Sequence, residues 1–244
     1  MRQESSRPSK GNAGGWLHSL GDPQRVYRPV QAPPTPRPVT IDAEAIMRGF
    51  ESETWPEMIA QLAGSLGVTA RSLEAIGTAW AQSHNAFAFP MRDWTGKIIG
   101  IRLRDHTGHK WAIRGSRAGL FYSEASKAPE VAIVEGPTDL AAAITIGIPT
   151  IGRPSCQGSE QDIVRLLARW DVRSVVVITD NDGPGWAGAQ RLSGMLTVPH
   201  VCWTPPTKDL RAYVRAGGNR ALIHAMTRSL VWTKPVNHDR RDRP

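Results

Sequence analysis

Two apolar runs in the second half of the chain each break off at an acid followed by a glycine turn. VAIV (Val131–Val134) leads into Glu135-Gly136-Pro137-Thr138-Asp139, and the run from Ser174 to Thr179 leads into Asp180-Asn181-Asp182-Gly183-Pro184-Gly185. Short continuous apolar runs bounded by turn residues suit strands buried on both faces. Pro149-Thr150-Ile151 and His200-Val201-Cys202-Trp203 supply two more. Helical stretches fall between them: one from Thr138, one over Glu160–Trp170 with Ile163, Leu166, Leu167 and Trp170 on one face, and one over Trp186–Leu196. Strand and helix in alternation predict a parallel four-stranded sheet with right-handed crossovers and helices on both faces. Ligands of such sheets gather at the carboxyl ends of the strands, so Glu135, Asp180 and Asp182 are expected on one rim. An extended segment there would project Asp180 and Asp182 to the same side. Carboxylates crowded together repel, and a hard divalent cation such as Mg²⁺ relieves that repulsion. Gly183, Gly185 and Gly188 would let the backbone turn and approach a ligand. Taken singly, Asp139 and Asp182 also suit the first turn of a helix, and that reading stays open here.

The preceding segment has another character. From Ile41 to about Ala81, Ile46, Phe50, Met58, Ile59, Leu62 and Leu66 recur at helical spacing, with breaks near Pro56 and Gly67 and a capped restart at Thr69. From Phe87 to Tyr122, short runs are separated by the turn signals Asp93-Trp94-Thr95-Gly96 and Asp105-His106-Thr107-Gly108, the pattern of an antiparallel meander. In IRLR the alternation sets Ile101 and Leu103 on one face and Arg102 and Arg104 on the other. Arg92, Lys97, Arg102, Arg104, Lys110, Arg114, Arg117 and Lys127 outweigh the acids of this stretch, which suits contact with phosphates.

Composition narrows the class. Thirty Lys and Arg against 22 Asp and Glu give a net charge of +8, which favours an anionic partner. Two cysteines, Cys156 and Cys202, form neither a disulfide framework nor a four-ligand zinc site and are expected to act as small buried hydrophobes in a cytoplasmic protein. No apolar run reaches the length that spans a bilayer. Residues 1–40, rich in Pro, Ser, Gly and Arg, are expected to be a disordered arm, and residues 232–244 a disordered tail.

Three phrases in their order carry a family resemblance: EGPTD (Glu135–Asp139), TDNDGPGWAG (Thr179–Gly188) and TKDLRAYV (Thr207–Val214). Together they resemble the signatures of the Toprim domain, over residues 129–231. Upstream, FPMRDWTGKIIGIRLRDHTGHKWAIRGSRAGLFY is similar to the basic RNA-polymerase subdomain that precedes Toprim in DnaG-type and phage or plasmid primases. Phe89, Pro90, Arg92, Asp93, Gly96, Ile99, Gly100 and Arg102 carry that match, and Lys110, Ser116 and Leu120-Phe121 continue it. Residues 41–128 would then be a small α+β primase-like subdomain before an α/β Toprim domain.

The resemblance implies a catalytic and metal-binding set of Glu135, Asp180 and Asp182 holding Mg²⁺ or Mn²⁺. Asp139 and Asp209 would be supporting acids, Lys208 a phosphate contact, and Arg102, Arg104, Lys110, Arg114 and Arg117 contacts to nucleic acid or nucleoside triphosphate. The implied activity is nucleotidyl transfer making short RNA primers on single-stranded DNA during replication. The sequence carries neither the cysteine cluster of a zinc ribbon nor a P-loop, so a zinc-binding module or replicative helicase is expected from another polypeptide. Two alternatives are a Toprim nuclease and a non-catalytic single-stranded-DNA-binding accessory protein. The first would turn the same acids on water, and the second would show salt-sensitive binding without metal dependence.

Overall fold

The computed structural model describes residues 40–228 and 230–233, together with the dipeptides Arg7–Pro8 (β1) and Trp16–Leu17 (β2), which pair antiparallel. The chain divides into two units, 1–38 and 39–244. Apart from β1, β2 and Thr40 in the arm and Trp232-Thr233 at the tail, the segments expected to be disordered lie outside the described residues.

The larger unit begins with a helical layer: α1 (Ala43–Ser52), α2 (Pro56–Leu66) and α3 (Ala70–Ala75). Each boundary has a local cause. Asp42 accepts the Ala45 N–H at the start of α1, α2 opens on Pro56 and stops at Gly67 in the left-handed region, and Thr69 accepts the Ser72 N–H at the start of α3. The expected helical block ends sooner than its periodicity suggests, because Ala79–Ala81 is a strand, β3. This strand pairs antiparallel with β4 (Ala86–Arg92), and Ala79 and Ala81 pack with Ala43, Met47 and Phe50 of α1. The antiparallel sheet runs β3-β4-β5-β6, with β5 at Ile98–Arg104 and β6 at Lys110–Ala112. Its central strand β4 is buried on both faces: Ala86 and Ala88 pack toward α1, while Phe87, Phe89 and Met91 enter the main core.

The second sheet is parallel throughout, in the order β10-β9-β7-β8. Its strands are β7 (Glu130–Glu135), β8 (Thr150–Arg153), β9 (Ser174–Ile178) and β10 (His200–Trp203). Ala132, Val134, Ile178 and Trp203 pack against α4 (Gly136–Thr145), α7 (Leu210–Arg215) and α8 (Arg220–Arg228). Val131, Ile133, Val175 and Val177 pack against α5 (Glu160–Trp170) and α6 (Gly183–Ser193) on the other face. The α/β class with helices on both faces is thus as expected. Helices α4 and α6 each start earlier than their apolar periodicity suggests, because Pro137 and Pro184 occupy first-turn positions that need no N–H donor.

One short segment joins the sheets. Leu120 exchanges both backbone hydrogen bonds with Arg92 at 2.7 Å, and Phe121 exchanges both with Gly152 at 2.8 Å. Leu120 and Tyr122 point into one core and Phe121 into the other. This splice sets the outward arginines of β5 against the carboxyl rim of the parallel sheet.

Candidate active site

The rim and the arginine face enclose a cavity of about 510 Å³. On the rim side stand Glu135, Asp139, Asp180 and Asp209; on the other stand Arg102, Arg104 and Lys110, with Lys208 and Arg211 between. Glu135 ends β7 and takes the N-cap position of α4, where Gly136 turns the chain at φ +78°, a conformation that excludes most side chains. Asp180 lies two residues beyond β9, in a loop tied to the loop after β10 by Asn181 N–H donating to the Lys208 carbonyl at 2.9 Å. Asp209 caps α7 by accepting the Ala212 N–H at 2.6 Å, and the buried Asp139 accepts the Arg211 N–H at 2.8 Å. The first acidic phrase is thereby fastened to the third.

Two parts of the expected site lie apart from the cavity. Asp180 and Asp182 do not share a direction. The strand has ended before them, and Asp182 turns away as the N-cap of α6, exposed and accepting the Gly185 N–H at 2.7 Å. The capping interpretation therefore holds for Asp182, which does not line the cavity. Arg114 and Arg117 are exposed on the segment after β6, away from the cavity wall, whereas Arg102, Arg104, Lys110 and Lys208 do line it. The motif glycines serve packing as much as ligand approach: a Cβ at Gly185 would lie 2.7 Å from the Asp180 carbonyl, and one at Gly188 would collide with the Cys156 carbonyl. Cys156 and Cys202 are half-buried rather than buried.

Two residues paired with the rim acids escape sequence reading. Arg153, at the end of β8, is 1% exposed and pairs with Glu135 at 2.9 Å. Arg211 lies 3.7 Å from the Asp209 carboxylate. The available signal for Arg153 is a charged residue closing the short strand TIGR (Thr150–Arg153), placed like Glu135 at a carboxyl end.

The acids are electrostatically frustrated. Burial, then the negative charges of Asp139, Glu135, Asp209 and Asp182, push the Asp180 carboxyl up to about 7. Burial, then Asp209, push Asp139 up to about 6. Across the cavity, desolvation followed by repulsion from Arg104 lowers the Lys110 ammonium, and desolvation followed by repulsion from Arg211 lowers Arg104. Such a cleft, acid-rimmed on one side and overfilled with cations on the other, favours a ligand bearing both metal and phosphate. The rim donors are hard oxygens, as Mg²⁺ requires. Among the described residues no three His, Cys, Asp or Glu side chains form a ready-made metal shell, but Mg²⁺ commonly uses one or two carboxylates and keeps its remaining waters.

The fold matches that of DnaG primase catalytic cores: a four-stranded parallel sheet with helices on both faces, joined to an antiparallel sheet. The E. coli primase catalytic core is similar with a TM-score of 0.62 at 16% identity, covering 78% of this chain and 79% of that one. A DnaG primase catalytic domain bound to single-stranded DNA gives 0.59 at 14% identity, covering 77% and 78%. The primase fragment of the bacteriophage T7 primase-helicase protein gives 0.52 at 14% identity, covering 67% and 72%. No protein-family model matches the sequence, and no curated protein matches it. Among the described residues no helix is long and apolar enough to cross a membrane.

Proposed function

We propose that this protein is a primase-like nucleotidyltransferase that uses Mg²⁺ or Mn²⁺ to join ribonucleotides on a single-stranded DNA template. The observation that carries the reading is the facing of Asp180, Glu135 and Asp209 by Arg102, Arg104 and Lys110 across one cavity. Similarity of fold to primase cores, one of them bound to single-stranded DNA, supports it. The primase fragment of a primase-helicase protein is among the similar structures, which supports a helicase as a partner of this chain too.

Asp180, with Asp209 and the supporting acid Asp139 behind it, is the residue to hold the ion, and Asp182 contributes its charge from the helix N-terminus. A divalent ion there would neutralise triphosphate oxygens during in-line displacement. Arg102, Arg104, Lys110 and Lys208 bind the phosphates that enter opposite the rim. Glu135 orients the attacking 3′-hydroxyl and accepts its proton. Arg114 and Arg117, exposed outside the cavity, would offer positive charge to the template strand.

The test is template-directed incorporation of ribonucleotides on single-stranded DNA, with and without Mg²⁺, by wild type, Asp180→Asn and Glu135→Gln. The proposal expects metal-dependent primers from the wild type and at least a hundredfold loss in each variant, about 2.7 kcal/mol or more of barrier. Equal synthesis by all three would refute it, and template degradation in place of extension would redirect it to a nuclease.

A further inference from the structure

We propose that Arg153 is a positioning residue that reserves Glu135 for the reacting hydroxyl by holding it off the metal ion. The inference rests on the polymerase reading above and assigns a role to a residue outside the primase-like phrases. Glu135 and Arg153 are direct partners in the parallel register of β7 and β8, so both side chains leave the sheet at the same rim. The Arg153 Nη2 donates to Glu135 Oε1 at 2.9 Å, and Nη1 reaches the Cys156 carbonyl at 3.4 Å. Its Nε has no hydrogen-bond partner among the described residues, and the side chain is 1% exposed.

A guanidinium keeps its charge at any working pH. One this deeply buried depends on its carboxylate, and removing that carboxylate would strand a charge in the interior. Drawing Glu135 onto a divalent ion would either strand Arg153 or set the ion beside a fixed cation. Asp180 is under no such constraint. No donor among the described residues hydrogen-bonds its carboxylate, and the ionisable groups that most perturb it are the other acids, Asp139, Glu135, Asp209 and Asp182. The acids therefore divide their labour: Asp180 takes the ion, while Glu135 is neutralised and aimed by Arg153, with Oε2 left to face the substrate.

The experiment is a Mn²⁺ titration of the full chain without nucleotide, following free Mn²⁺ by electron paramagnetic resonance. Asp180→Asn should weaken binding more than tenfold, and Glu135→Gln less than threefold. Arg153→Met should release Glu135 as a new ligand and tighten Mn²⁺ binding, at least threefold more than the same substitution does in the Glu135→Gln background. Arg153→Lys, which retains the charge, should bind as the wild type does. A merely structural arginine would not make its effect on Mn²⁺ depend on Glu135. The proposal is overturned if Glu135→Gln weakens binding as much as Asp180→Asn, if Arg153→Met acts equally in both backgrounds, or if the wild type has no saturable site. Should Arg153→Met fail to fold, the first of these comparisons decides alone. Mn²⁺ binding in the expected pattern without primer synthesis would keep the Arg153 assignment and remove the polymerase reading.

Discussion

Asp180 sits where the electrostatics of the site are least comfortable. Its carboxyl is raised to about 7, above its ordinary value near 4, by burial and by the surrounding acids. The folded protein therefore binds a proton at Asp180 that the unfolded chain releases between about pH 4 and 7. This contribution to stability is fully present below the unfolded value and is lost as pH rises through the folded one. In chelator, the melting temperature should fall between pH 5 and 8, and Asp180→Asn should flatten that fall. After allowance for solvent screening the effect is about 1 kcal/mol, or roughly 2–4 °C for a domain of this size. Adding Mg²⁺ at pH 8 should restore the wild type and leave Asp180→Asn unmoved. Thermal melts across pH, with and without metal, check all three statements.

Among the elements, the loop after β8 and helix α6 meet at a glycine. Gly188 faces the Cys156 carbonyl with no room for a methyl group, and Arg153 and Arg191 both donate to that carbonyl at 3.4 Å. Gly188→Ala should gain helix propensity yet lose about 1–3 kcal/mol to overpacking, as urea unfolding would measure; an unchanged midpoint would contradict the close approach. Sequence reveals such elements unevenly. Helix α5 and the strands of the meander are legible because their apolar periodicity is uninterrupted and their turns carry Asp and Gly. Glu135 and Asp180 are legible because each follows a strand that then breaks at glycine. Strand β3 is hidden, since Ala79-Trp80-Ala81 has no period of its own and becomes a strand only by pairing with β4. Asp182 is misleading because an Asp before Gly-Pro satisfies a metal phrase and a helix cap alike, and only the chain's exit from β9 separates the two. Arg153 offers only a charge closing a short strand, and Arg211 offers nothing, because their roles depend on contacts with Glu135 and Asp209 across 18 and two residues, and only the first crosses between strands.

At the scale of the whole molecule, part of the positive charge behind the net +8 is gathered around the cavity. Arg102, Arg104 and Lys110 face the acids across the cavity, while Arg114 and Arg117 lie outside it on the same subdomain. If the outer pair tracks a single strand, replacing both by alanine should reduce the slope of log affinity against log salt by about 1.4, or about 0.7 for each phosphate no longer neutralised. Fluorescence anisotropy with a labelled single-stranded oligonucleotide would measure it, and an unchanged slope would remove these two residues from the track. The proposed function requires the acidic rim to capture an ion at Asp180 while phosphates occupy the arginine face. Anomalous diffraction from crystals grown with Mn²⁺ and a nucleoside triphosphate would show whether it does. The expected result is a Mn²⁺ peak bound to the Asp180 carboxylate at about 2.0–2.3 Å, with triphosphate oxygens on its far side toward Arg102, Arg104 and Lys110. A Mn²⁺–triphosphate complex bound elsewhere, with the Asp180 carboxylate touching neither, would overturn this picture of the site.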